Sequence, residues 1–586
     1  MAYPKYKNEN YTNFGGINTK ASPYANQRTE FRNIENMNFQ LIGSLSQRRG
    51  TTLFTSASVA GRINGIYEFQ RLNGASYVVV EANTNLYSVN SVAFTSIKTN
   101  VADQLCDFTA FVDRLYIANG QDFLRFDGNN AVNAMLPEPP AFSVTGAIGG
   151  GLSGVYTLSY GYINDIGTLG PVTDGVTISL NGATFGSITV LGATAPTGFG
   201  VSNYVAYLSQ AGSVNRFAVN TFYDIAGTSF VVNASAALTS TPENFNLFFN
   251  ANTSLYGNSL APSYLELFNN QMFMSGFSLY PSRVFWSEIG DPEAVDPTYY
   301  NDFRTNDGDV VTGMKFYNGV LIITKERSVH RVVGDNPDNF YFQEISDQYG
   351  CLSNRAMVVY NNLLWFLDIK GICQYNGANI GVISDNVEPY FLRMNVSAAR
   401  RNATAVHYKQ LNEVWFSFPI DGSTINNITI VYDYVSNAFT TYKGFNPSSI
   451  TVGKGALSEQ TVLYGGYTGQ VINFGSSLVS DFNGSISCVI DTRYIGDLGQ
   501  SVEKQFRRLF LNTNTFSITN TIRVDFTQDY NASIVASQNI YLNQFQPRID
   551  YGIPAKALQA KFVYSNASLP IRVDGFTIEY RFQRDV

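Results

Sequence analysis

Short apolar segments separated by polar turns recur along this chain at a nearly constant spacing. The clearest copies are FVDRLYIANGQDFLRFDG from Phe111, LFNNQMFMSGFSLYPSRVFWSE from Leu267, FYNGVLIITKERSVHRVVGD from Phe316 and VYNNLLWFLDIKGICQYNG from Val359. Weaker copies begin near Phe69, Tyr408 and Ala456. Each copy places an apolar pair before a turn and continues as short strands, which predicts a series of small antiparallel sheets.

The spacing of these copies indicates a β-propeller. Five of the six steps between corresponding positions are 42 to 49 residues long, and a four-stranded propeller blade takes about 40 to 50 residues. The remaining step, from Val112 to Phe268, is 156 residues long. We therefore expect an insertion there. Because some copies are weak, six, seven and eight blades remain open.

The segment between Pro139 and Leu265 is predicted to form the inserted domain, because its composition differs from the rest. Its charged residues are Asp165, Asp174, Arg216, Asp224 and Glu243. Runs such as VYTLSYGYI, GSITVL and VSNYVAYLS are short strands with turns between them. About seven such strands in roughly 100 residues are typical of an immunoglobulin-like or fibronectin-like β-sandwich.

After Phe474 the blade rhythm stops, and the runs QFRRLFLNT, NTIRVDFTQD and LPIRVDGFTIEYRF predict a second sandwich. The expected fold is thus all-β: a β-propeller with an inserted Ig/fibronectin-like β-sandwich and a C-terminal β-sandwich. We place the N-terminal segment and first blades at 1–140, the insert at 141–250, the remaining blades at 251–480 and the C-terminal sandwich at 481–586.

Helix is predicted in two short connectors. One is Thr29 to Met37, with Thr29 as its N-cap and Phe31 and Ile34 on one face. The other begins at Asp385 and ends at 394, and a glutamate three residues after Asp385 gives it the spacing of a capping box.

Composition narrows the functional classes. Charged residues make up 14% of the 586 residues, against roughly 25% in ordinary soluble domains. The 38 basic and 45 acidic residues leave a net charge of −7, which argues against a protein that wraps nucleic acid through its phosphates. The cysteines are dispersed, so we interpret them as small buried apolar residues; they are Cys106, Cys351, Cys373 and Cys488.

No apolar run approaches the ~18 residues of a membrane-spanning helix, and the first residues lack the apolar stretch of a secretory signal. We therefore expect a soluble protein with no membrane span that is not exported by the general secretion route.

Candidate chemistry is sparse. The two histidines, His330 and His407, lie in different repeats and are interpreted as ordinary strand residues. The GGGLSG run from Gly149 satisfies a GxGxxG spacing but precedes a strand, whereas dinucleotide binding requires a helix there. It is interpreted as a flexible loop. TNDGDV, which contains Asp307 and Asp309, lacks the ligand spacing of a calcium loop and predicts a tight turn.

Three basic doublets, at residues 48–49, 400–401 and 507–508, are interpreted as parts of inter-strand or inter-subunit salt-bridge surfaces. The last, in KQFRRLF, alternates with aromatic residues and leaves stacking on nucleic-acid bases as an alternative. We expect no catalytic, cofactor-binding or metal-binding residues and no cofactor.

The stretch from Asn13 to Phe54, NFGGINTKASPYANQRTEFRNIENMNFQLIGSLSQRRGTTLF, resembles the opening of tail proteins of short-tailed bacteriophages. The residues that carry the likeness are Gly15, Gly16, Asn18, Thr19, Asn36, Phe39, Arg48, Arg49 and Gly50. The stretch from Gly350 to Gly377 resembles the blades of that group, and Ser153 to Thr173 is similar to its fibronectin-like module.

The resemblance implies a tail nozzle protein, of the tail tubular protein B kind. Such a protein is a structural virion component and not an enzyme, and it forms a homohexameric ring at the distal end of the tail. The ring would gate DNA ejection, letting double-stranded DNA pass through its lumen without sequence-specific binding. Its partners would be tail adaptor proteins and tail fibres, and it would be assembled in the host cytoplasm.

Two other functional classes stay open. A receptor-binding or adhesin-type tail protein would also suit propellers and sandwiches, because both folds display recognition loops. A propeller hydrolase acting on glycans would need two carboxylates roughly 5 to 10 Å apart.

Overall fold

The computed structural model describes residues 6–22, 25–41, 43–182, 184–233, 238–242, 261–305, 307–454, 460–475, 478–496, 502–514 and 519–583. The secondary structure is overwhelmingly β, in several small sheets and two larger packed assemblies. The predicted all-β class, a propeller with two sandwiches, is confirmed.

The propeller has seven four-stranded blades, which we number 1 to 7 along the chain. The innermost strands of blades 1 to 7 are, in order, Ile63–Gln70, Asp107–Phe111, Tyr264–Phe268, Val311–Tyr317, Met357–Tyr360, Thr404–Tyr408 and Ser449–Lys454. Each inner strand contacts the inner strands of the blades before and after it, and blade 7 returns to blade 1. The ring is therefore closed, and of the three blade numbers left open by the sequence, seven is correct.

The other strands of each blade follow as an antiparallel meander. The second strands are Ser76–Ala82, Arg114–Ala118, Gln271–Ser275, Val320–Lys325, Leu363–Asp368, Glu413–Phe418 and Gln460–Gly465. The third strands are Asn85–Val89, Phe123–Phe126, Arg283–Trp286, Val329–Val333, Gly371–Tyr375, Ile428–Asp433 and Val471–Phe474. The outer strands of blades 1 to 6 are Phe94–Thr99, Ala131–Asn133, Tyr300–Asp302, Tyr341–Ser346, Ile380–Val382 and Ala438–Tyr442.

Blade 7 obtains its outer strand from the other end of the chain. Thr51–Leu53 pairs antiparallel with Val471–Phe474, and Thr52 lies opposite Asn473. Pairing a strand from the beginning of the propeller with the last blade completes its four strands and fastens the ring.

Apolar side chains between successive blades supply the propeller core. Between blades 3 and 4, for example, Phe273 and Trp286 pack against Met314 and Ile323. Comparable clusters fill the spaces between the other neighbouring blades. Both faces of each blade are thus covered, which explains why the blade strands appear in the sequence as short continuous apolar runs.

The repeated polar turns are the connections between first and second strands. Asn269 and Asn270 in blade 3 have φ of +49° and +62°, and Asn361 and Asn362 in blade 5 have φ of +48° and +61°. Two consecutive positive φ angles define a type I′ hairpin turn, which asparagine tolerates better than most residues. This backbone requirement explains why the repeat was visible in the sequence.

The inserted domain is a sandwich of two sheets that follows blade 2. One sheet contains Ser143–Ala147, Ser187–Leu191 and Ser229–Asn233. The other contains Leu169–Val172, Ser153–Asn164, Val176–Asn181, Val201–Ser209, Arg216–Asp224 and Leu238–Pro242. Tyr160, Tyr204 and Phe230 are buried between them, with ring centroids 5.5 to 6.0 Å apart. The junction placed at 250 lies outside the described residues.

The C-terminal sandwich includes strands from the beginning of the chain. One sheet contains Lys7–Tyr11, Met37–Asn38, Leu45–Gln47, Arg572–Phe582, Lys504–Thr513 and Arg548–Ala555. The facing sheet contains Phe31–Glu35, Ser480–Asp481, Gly484–Thr492, Leu558–Asn566, Thr521–Gln528 and Ile534–Tyr541. Phe562 and Phe576, one from each sheet, have ring centroids 5.2 Å apart.

This sandwich is continuous with the propeller. Glu35 of Phe31–Glu35 pairs in parallel with Thr441 in the outer strand of blade 6, so one ten-stranded sheet includes blade 6 and half of the sandwich. The N-terminal segment therefore joins two units that the sequence treats as separate.

One predicted helix is wrong and the other is confirmed. The segment Thr29 to Met37 contains the strand Phe31–Glu35, because pairing with Gly484–Thr492 buries Phe31 and Ile34 more effectively than a lone helix turn could. Asp385–Val387 is a 3-10 turn that leads into helix α1, Glu388–Leu392.

The expected capping box is absent from this second connector. The cap residue of the 3-10 turn is Ser384, which makes no side-chain cap bond. Asp385 and Glu388 instead form ion pairs with Lys20, at 3.4 and 2.9 Å. A further helix, α2, spans Val396–Asn402 and was not predicted. The remaining 3-10 turns are Pro337–Asn339, Asn354–Ala356 and Lys409–Leu411.

Candidate functional site: the axial mouth of the propeller

A cavity of about 190 Å³ lies where the inner strands of blades 2, 3, 5 and 6 begin. We call it the axial mouth. Its lining includes Asp107, Tyr264, Asn354, Arg355, Arg400 and Arg401. These residues come from the segments that lead into four different inner strands, so the cavity sits at the propeller axis.

Asn354 connects blade 5 to blade 2 across the axis and to the neighbouring blade 4. Its Nδ2 donates a hydrogen bond to Oδ2 of Asp107 in blade 2, at 2.8 Å. Its Oδ1 accepts one from the backbone N–H of Met314 in blade 4, at 3.0 Å. Asp107 Oδ2 also accepts from the backbone N–H of Leu265 in blade 3, at 2.9 Å. One amide side chain thus joins three blades directly and a fourth through Asp107.

Arg355 makes the complementary connections to the remaining blades. Its guanidinium donates to the backbone carbonyls of Asn64 at 3.3 Å, Ser448 at 3.1 Å and Arg401 at 2.5 Å. These carbonyls belong to the segments that begin blades 1, 7 and 6. Burial, reinforced by the nearby charge of Arg62, lowers the pKa of Arg355 to about 10. Asn354 and Arg355 together bridge all seven blades and close the axis at this end.

An ion pair lies beside Asp107, close to the axis. Lys315 in blade 4 forms an ion pair with Glu266 in blade 3, with Nζ 3.2 Å from Oε2, and Glu266 raises the pKa of Lys315. Burial raises the pKa of Asp107 to about 6, although the backbone N–H of Leu265 opposes the shift. The carboxylate of Asp107 is therefore half protonated near pH 6.

The insert is fixed to the propeller by a buried polar cluster. Glu293, from blade 3, accepts hydrogen bonds from Tyr116 Oη at 3.2 Å and from Asn164 Nδ2 of the insert at 2.9 Å. Arg125 of blade 2 lies 3.3 Å from Glu293 and 2.5 Å from Asp165 of the insert. Burial raises the pKa of Glu293 to about 7, and Arg125 opposes this. The cluster holds the insert against blades 2 and 3.

Two open cavities lie at the opposite ends of the inner strands. One, of about 400 Å³, is bounded by the first turns of blades 2 and 3 and by Phe316. The other, of about 490 Å³, lies between Asp113 and Arg114 of blade 2, the insert loop at Asp165, and Asp291 of blade 3. Their acidic residues are engaged: Asp113 with Arg71, Asp165 with Arg125 and Asp291 with Thr168.

The two histidines occupy strand positions, as predicted. His330 is buried in Val329–Val333, and its Nε2 lies 3.0 Å from Ser328 Oγ. His407 lies in Thr404–Tyr408 and stacks on the ring of Tyr360 at 4.0 Å. Burial lowers the pKa of each imidazole to about 4. The structure does not bring the two histidines into one site.

The two weak sequence motifs form loops. The first four residues of the GGGLSG run lie in the loop between Ser143–Ala147 and Ser153–Asn164, and its first three glycines have φ between +76° and +94°. Asp309 accepts hydrogen bonds from its neighbours' backbone, including the N–H groups of Glu326 and Arg327. Asp307 is paired with the fully buried Lys325 at 2.9 Å. Both acidic residues thus have structural partners.

Each basic doublet contributes at least one ion pair between separate segments, in agreement with the salt-bridge interpretation. The pairs are Arg48 with Asp481 at 2.6 Å, Arg400 with Glu326 at 2.7 Å, and Arg508 with Asp550 at 2.7 Å. Arg507 donates to Tyr6 Oη at 2.5 Å. All four cysteines are free thiols buried in the core, as predicted.

Sequence reasoning did not single out Asn354 or Arg355. They follow a serine in the short turn before an inner strand, and no periodicity marks them. The one available signal was an Asn-Arg pair placed between the copy that begins at Phe316 and the copy that begins at Val359.

Within the described parts of the chain, no group of three or more His, Cys, Asp or Glu residues is arranged to hold a metal ion. Across the same residues, no helix has both the length and the apolar character needed to cross a membrane.

No protein-family model matches this chain, and no curated protein matches it. Solved structures with some likeness include BBS1N in complex with ARL6DN, at 8% identity and a TM-score of 0.26, covering 73% of this chain and 98% of that chain. The Neurospora crassa Pan2 WD40 domain has 8% identity and a TM-score of 0.26, covering 64% and 88%.

The exo-beta-1,3-galactanase from Phanerochaete chrysosporium with galactose has 10% identity and a TM-score of 0.20, covering 75% of this chain and 100% of that chain. At such TM-scores these likenesses carry no argument about what this chain binds or does.

Proposed function

We propose that this protein is a structural virion component: a subunit of the nozzle ring at the distal end of a short phage tail, gating DNA ejection and supporting tail fibres. The proposed role is mechanical and not enzymatic. The proposal starts from the resemblance of the stretch Asn13 to Phe54. Its main structural support is that this same stretch connects the propeller to the C-terminal sandwich.

That stretch holds the molecule together. It supplies Phe31–Glu35, Met37–Asn38 and Leu45–Gln47 to the C-terminal sandwich and Thr51–Leu53 to blade 7. Between the last two, the buried Arg48 forms its ion pair with Asp481. A single segment thus locks the sandwich to the closed propeller, which suits a subunit that must resist mechanical load during DNA ejection.

The bridged propeller axis favours a DNA channel that lies between subunits and not within one propeller. Since Asn354 and Arg355 bridge all seven blades at one end, DNA has no route through the propeller itself. A DNA channel would have to be enclosed by several copies arranged around a common axis. The net charge of −7 per chain would repel phosphates, so that a duplex could slide without binding.

The insert offers surface for contacts between copies. It carries few charges, and it exposes Phe222 by 57%, Val231 by 47% and Val155 by 48%. Charged residues are depleted from the centres of protein interfaces. We infer that this domain contributes to contacts with a neighbouring subunit or with a fibre.

The proposal is tested by measuring the mass of the purified chain by light scattering at low and high salt, followed by negative-stain imaging. Closed six-membered rings with a lumen wide enough for duplex DNA are expected. Phe222→Asp should reduce the ring fraction, whereas Asp347→Asn, an exposed change on the propeller, should leave it unaltered. Trimers without a lumen would refute the nozzle and favour a receptor-binding protein.

A further inference from the structure

The axial mouth carries more positive charge than its acidic residues balance. Arg355, Arg400 and Arg401 line it, and Asp107 is the acidic residue among the described lining residues. Arg400 is paired with Glu326, its Nε and Nη2 lying 2.7 and 2.8 Å from the two carboxylate oxygens. The other two guanidinium groups have no such carboxylate partner among the described residues.

Among the described lining residues, Arg401 is the arginine whose guanidinium has no partner. It lies at the end of helix α2, where its backbone carbonyl accepts the hydrogen bond from Arg355. Its side chain is exposed and forms no ion pair with any residue that the structure describes. An arginine held at a cavity wall by its backbone, with all its side-chain donors available, can bind an oxyanion.

Arg62 adds a second under-satisfied guanidinium beside the mouth. Its Nη1 donates to Asn402 Oδ1 at 2.8 Å and its guanidinium lies over the ring of Tyr467, while Nε and Nη2 are buried with no hydrogen-bond partner in the described part of the chain. Burial lowers its pKa, and the like charge of Arg401 adds to that effect. Arg62 and Arg401 are thus close enough to repel each other.

The acidic groups nearby are held by other partners or are neutral. Asp107 is engaged by Asn354 and by the backbone N–H of Leu265. Asp103 accepts a hydrogen bond from Asn64. Glu81, near Arg62, is fully buried, and burial raises its pKa to about 9, so it is protonated and neutral at pH 7. Among the lining residues, Arg355, Arg400 and Arg401 thus face Asp107 and the Glu326 that pairs with Arg400, so one guanidinium charge is left over at the wall of the mouth at neutral pH.

We propose that the axial mouth is a binding site for a phosphate group, held chiefly by Arg401 with Arg355, Arg400 and Arg62 supplying the surrounding positive field. Planar guanidinium groups donate pairs of parallel hydrogen bonds that match the oxygens of phosphate. A cavity of about 190 Å³ accommodates one such group with ordered water. The site is independent of whether the chain assembles into a ring.

The test is isothermal titration calorimetry of the full chain with sodium phosphate at pH 7.5, against sodium chloride at matched ionic strength. Saturable binding of phosphate near one per chain is expected. Arg401→Gln should weaken it by about tenfold or more, the loss expected for a charge-assisted hydrogen-bonding partner. Arg401→Lys, which keeps the charge but loses the planar fork, should give an intermediate affinity.

Arg331→Gln is the matched control. Arg331 lies in blade 4, away from the mouth, and donates to Gln343, so its substitution should leave phosphate binding unchanged. A second titration with glycerol phosphate identifies the source: binding of both ligands indicates a phosphate group on a larger molecule, and binding of inorganic phosphate alone indicates the free ion.

Two results would refute the proposed phosphate site. The first is the absence of saturable phosphate binding beyond the chloride control. The second is equal binding by the wild type and Arg401→Gln, with both shown to be folded by circular dichroism. Since Arg401 is exposed, its substitution is expected to leave the fold intact.

Discussion

Asn354 Nδ2 lies 2.8 Å from Asp107 Oδ2 and so links blade 5 to blade 2. In a ring of seven, two blades cannot be further apart than these. The bond therefore crosses the propeller axis and does not follow its circumference. Arg355, the next residue, crosses the axis to Asn64 of blade 1 in the same way. Two adjacent side chains in one short turn thus make hydrogen bonds to blades on all sides of the axis.

Removing the Arg355 guanidinium should destabilise the propeller. Arg355→Met keeps much of the side-chain volume but leaves the carbonyls of Asn64, Ser448 and Arg401 without their donor. Lost charge-assisted hydrogen bonds and unsatisfied carbonyls together should cost on the order of 3 kcal/mol. Differential scanning calorimetry should show a lower midpoint for the propeller transition.

The control for this substitution is Arg331→Met, which removes an arginine that donates to the side chain of Gln343 on an outer part of blade 4. Its midpoint should stay close to that of the wild type. Equal midpoints for Arg355→Met and Arg331→Met would show that the axial hydrogen bonds do not stabilise the ring.

Arg125 is expected to hold the insert on the propeller. Arg125→Met would leave Glu293 buried without its cation and release Asp165 of the insert. Breaking a buried ion pair on one side typically costs about 3 to 5 kcal/mol. Hydrogen exchange should rise in the insert loop at 165–168 and in the segment around Glu293.

The neighbouring Arg114, whose guanidinium donates to the backbone carbonyl of Asp113, provides the comparison for Arg125. Arg114→Met should leave exchange in the insert loop unchanged. Loss of protection spread evenly over the chain in Arg125→Met would mean general destabilisation and would argue against a specific anchor.

Glu81 should make the protein less stable as the pH rises. Burial raises its pKa to about 9 in the folded protein, whereas an unfolded glutamate titrates near ~4.3. Between these values the folded state holds a proton that the unfolded state has released, so the stability of the folded state falls with increasing pH. Glu81→Gln replaces the carboxyl by an amide that does not titrate, so this contribution to the pH dependence is lost.

The midpoint of Glu81→Gln minus that of the wild type, measured by thermal unfolding, should therefore increase from pH 5 to pH 9 and then level off. Subtraction cancels the contributions of the other buried carboxyls, which both proteins share. Asp347→Asn, at an exposed position, should show no such trend. A difference that stays constant over this range would contradict the prediction.

The propeller could be predicted from the sequence because its blades repeat the same strict requirement for turn residues. Each type I′ turn requires residues that accept positive φ, as at Asn269, Asn270, Asn361 and Asn362, and those residues stand at fixed offsets from apolar strands. The repeat therefore gave both the blades and the position of the insert. The number of blades was not decided, because the copies near Phe69, Tyr408 and Ala456 match the pattern weakly.

Long-range pairing was not predictable in the same way. Thr29 to Met37 has apolar residues at helical spacing, yet Phe31–Glu35 is a strand because partners more than 400 residues away cover it. The axial mouth is likewise formed by residues that are far apart in the sequence. Asn354 and Arg355 are ordinary in local sequence, and their role exists only once seven blades bring their partners together.

Closure of the ring by Thr51–Leu53 can be tested with a disulfide. Thr52 and Asn473 are directly opposed in the antiparallel pair, and opposed residues have Cα atoms about 4.5 to 5.5 Å apart, within reach of a disulfide. Joining them in Thr52→Cys with Asn473→Cys would prevent the N-terminal strand from leaving blade 7. Such a link is expected to stabilise the protein by about 2 to 4 kcal/mol.

Thermal unfolding with and without dithiothreitol measures the effect, and the rise in midpoint should disappear on reduction. The native cysteines are buried, so they should not compete for the new thiols, and Thr52→Cys alone serves as the control. If the disulfide forms quantitatively but the oxidised and reduced midpoints coincide, the N-terminal strand remains attached until the propeller has already unfolded. Unfolding would then have to begin at another blade, since a closed ring opens first at its weakest junction.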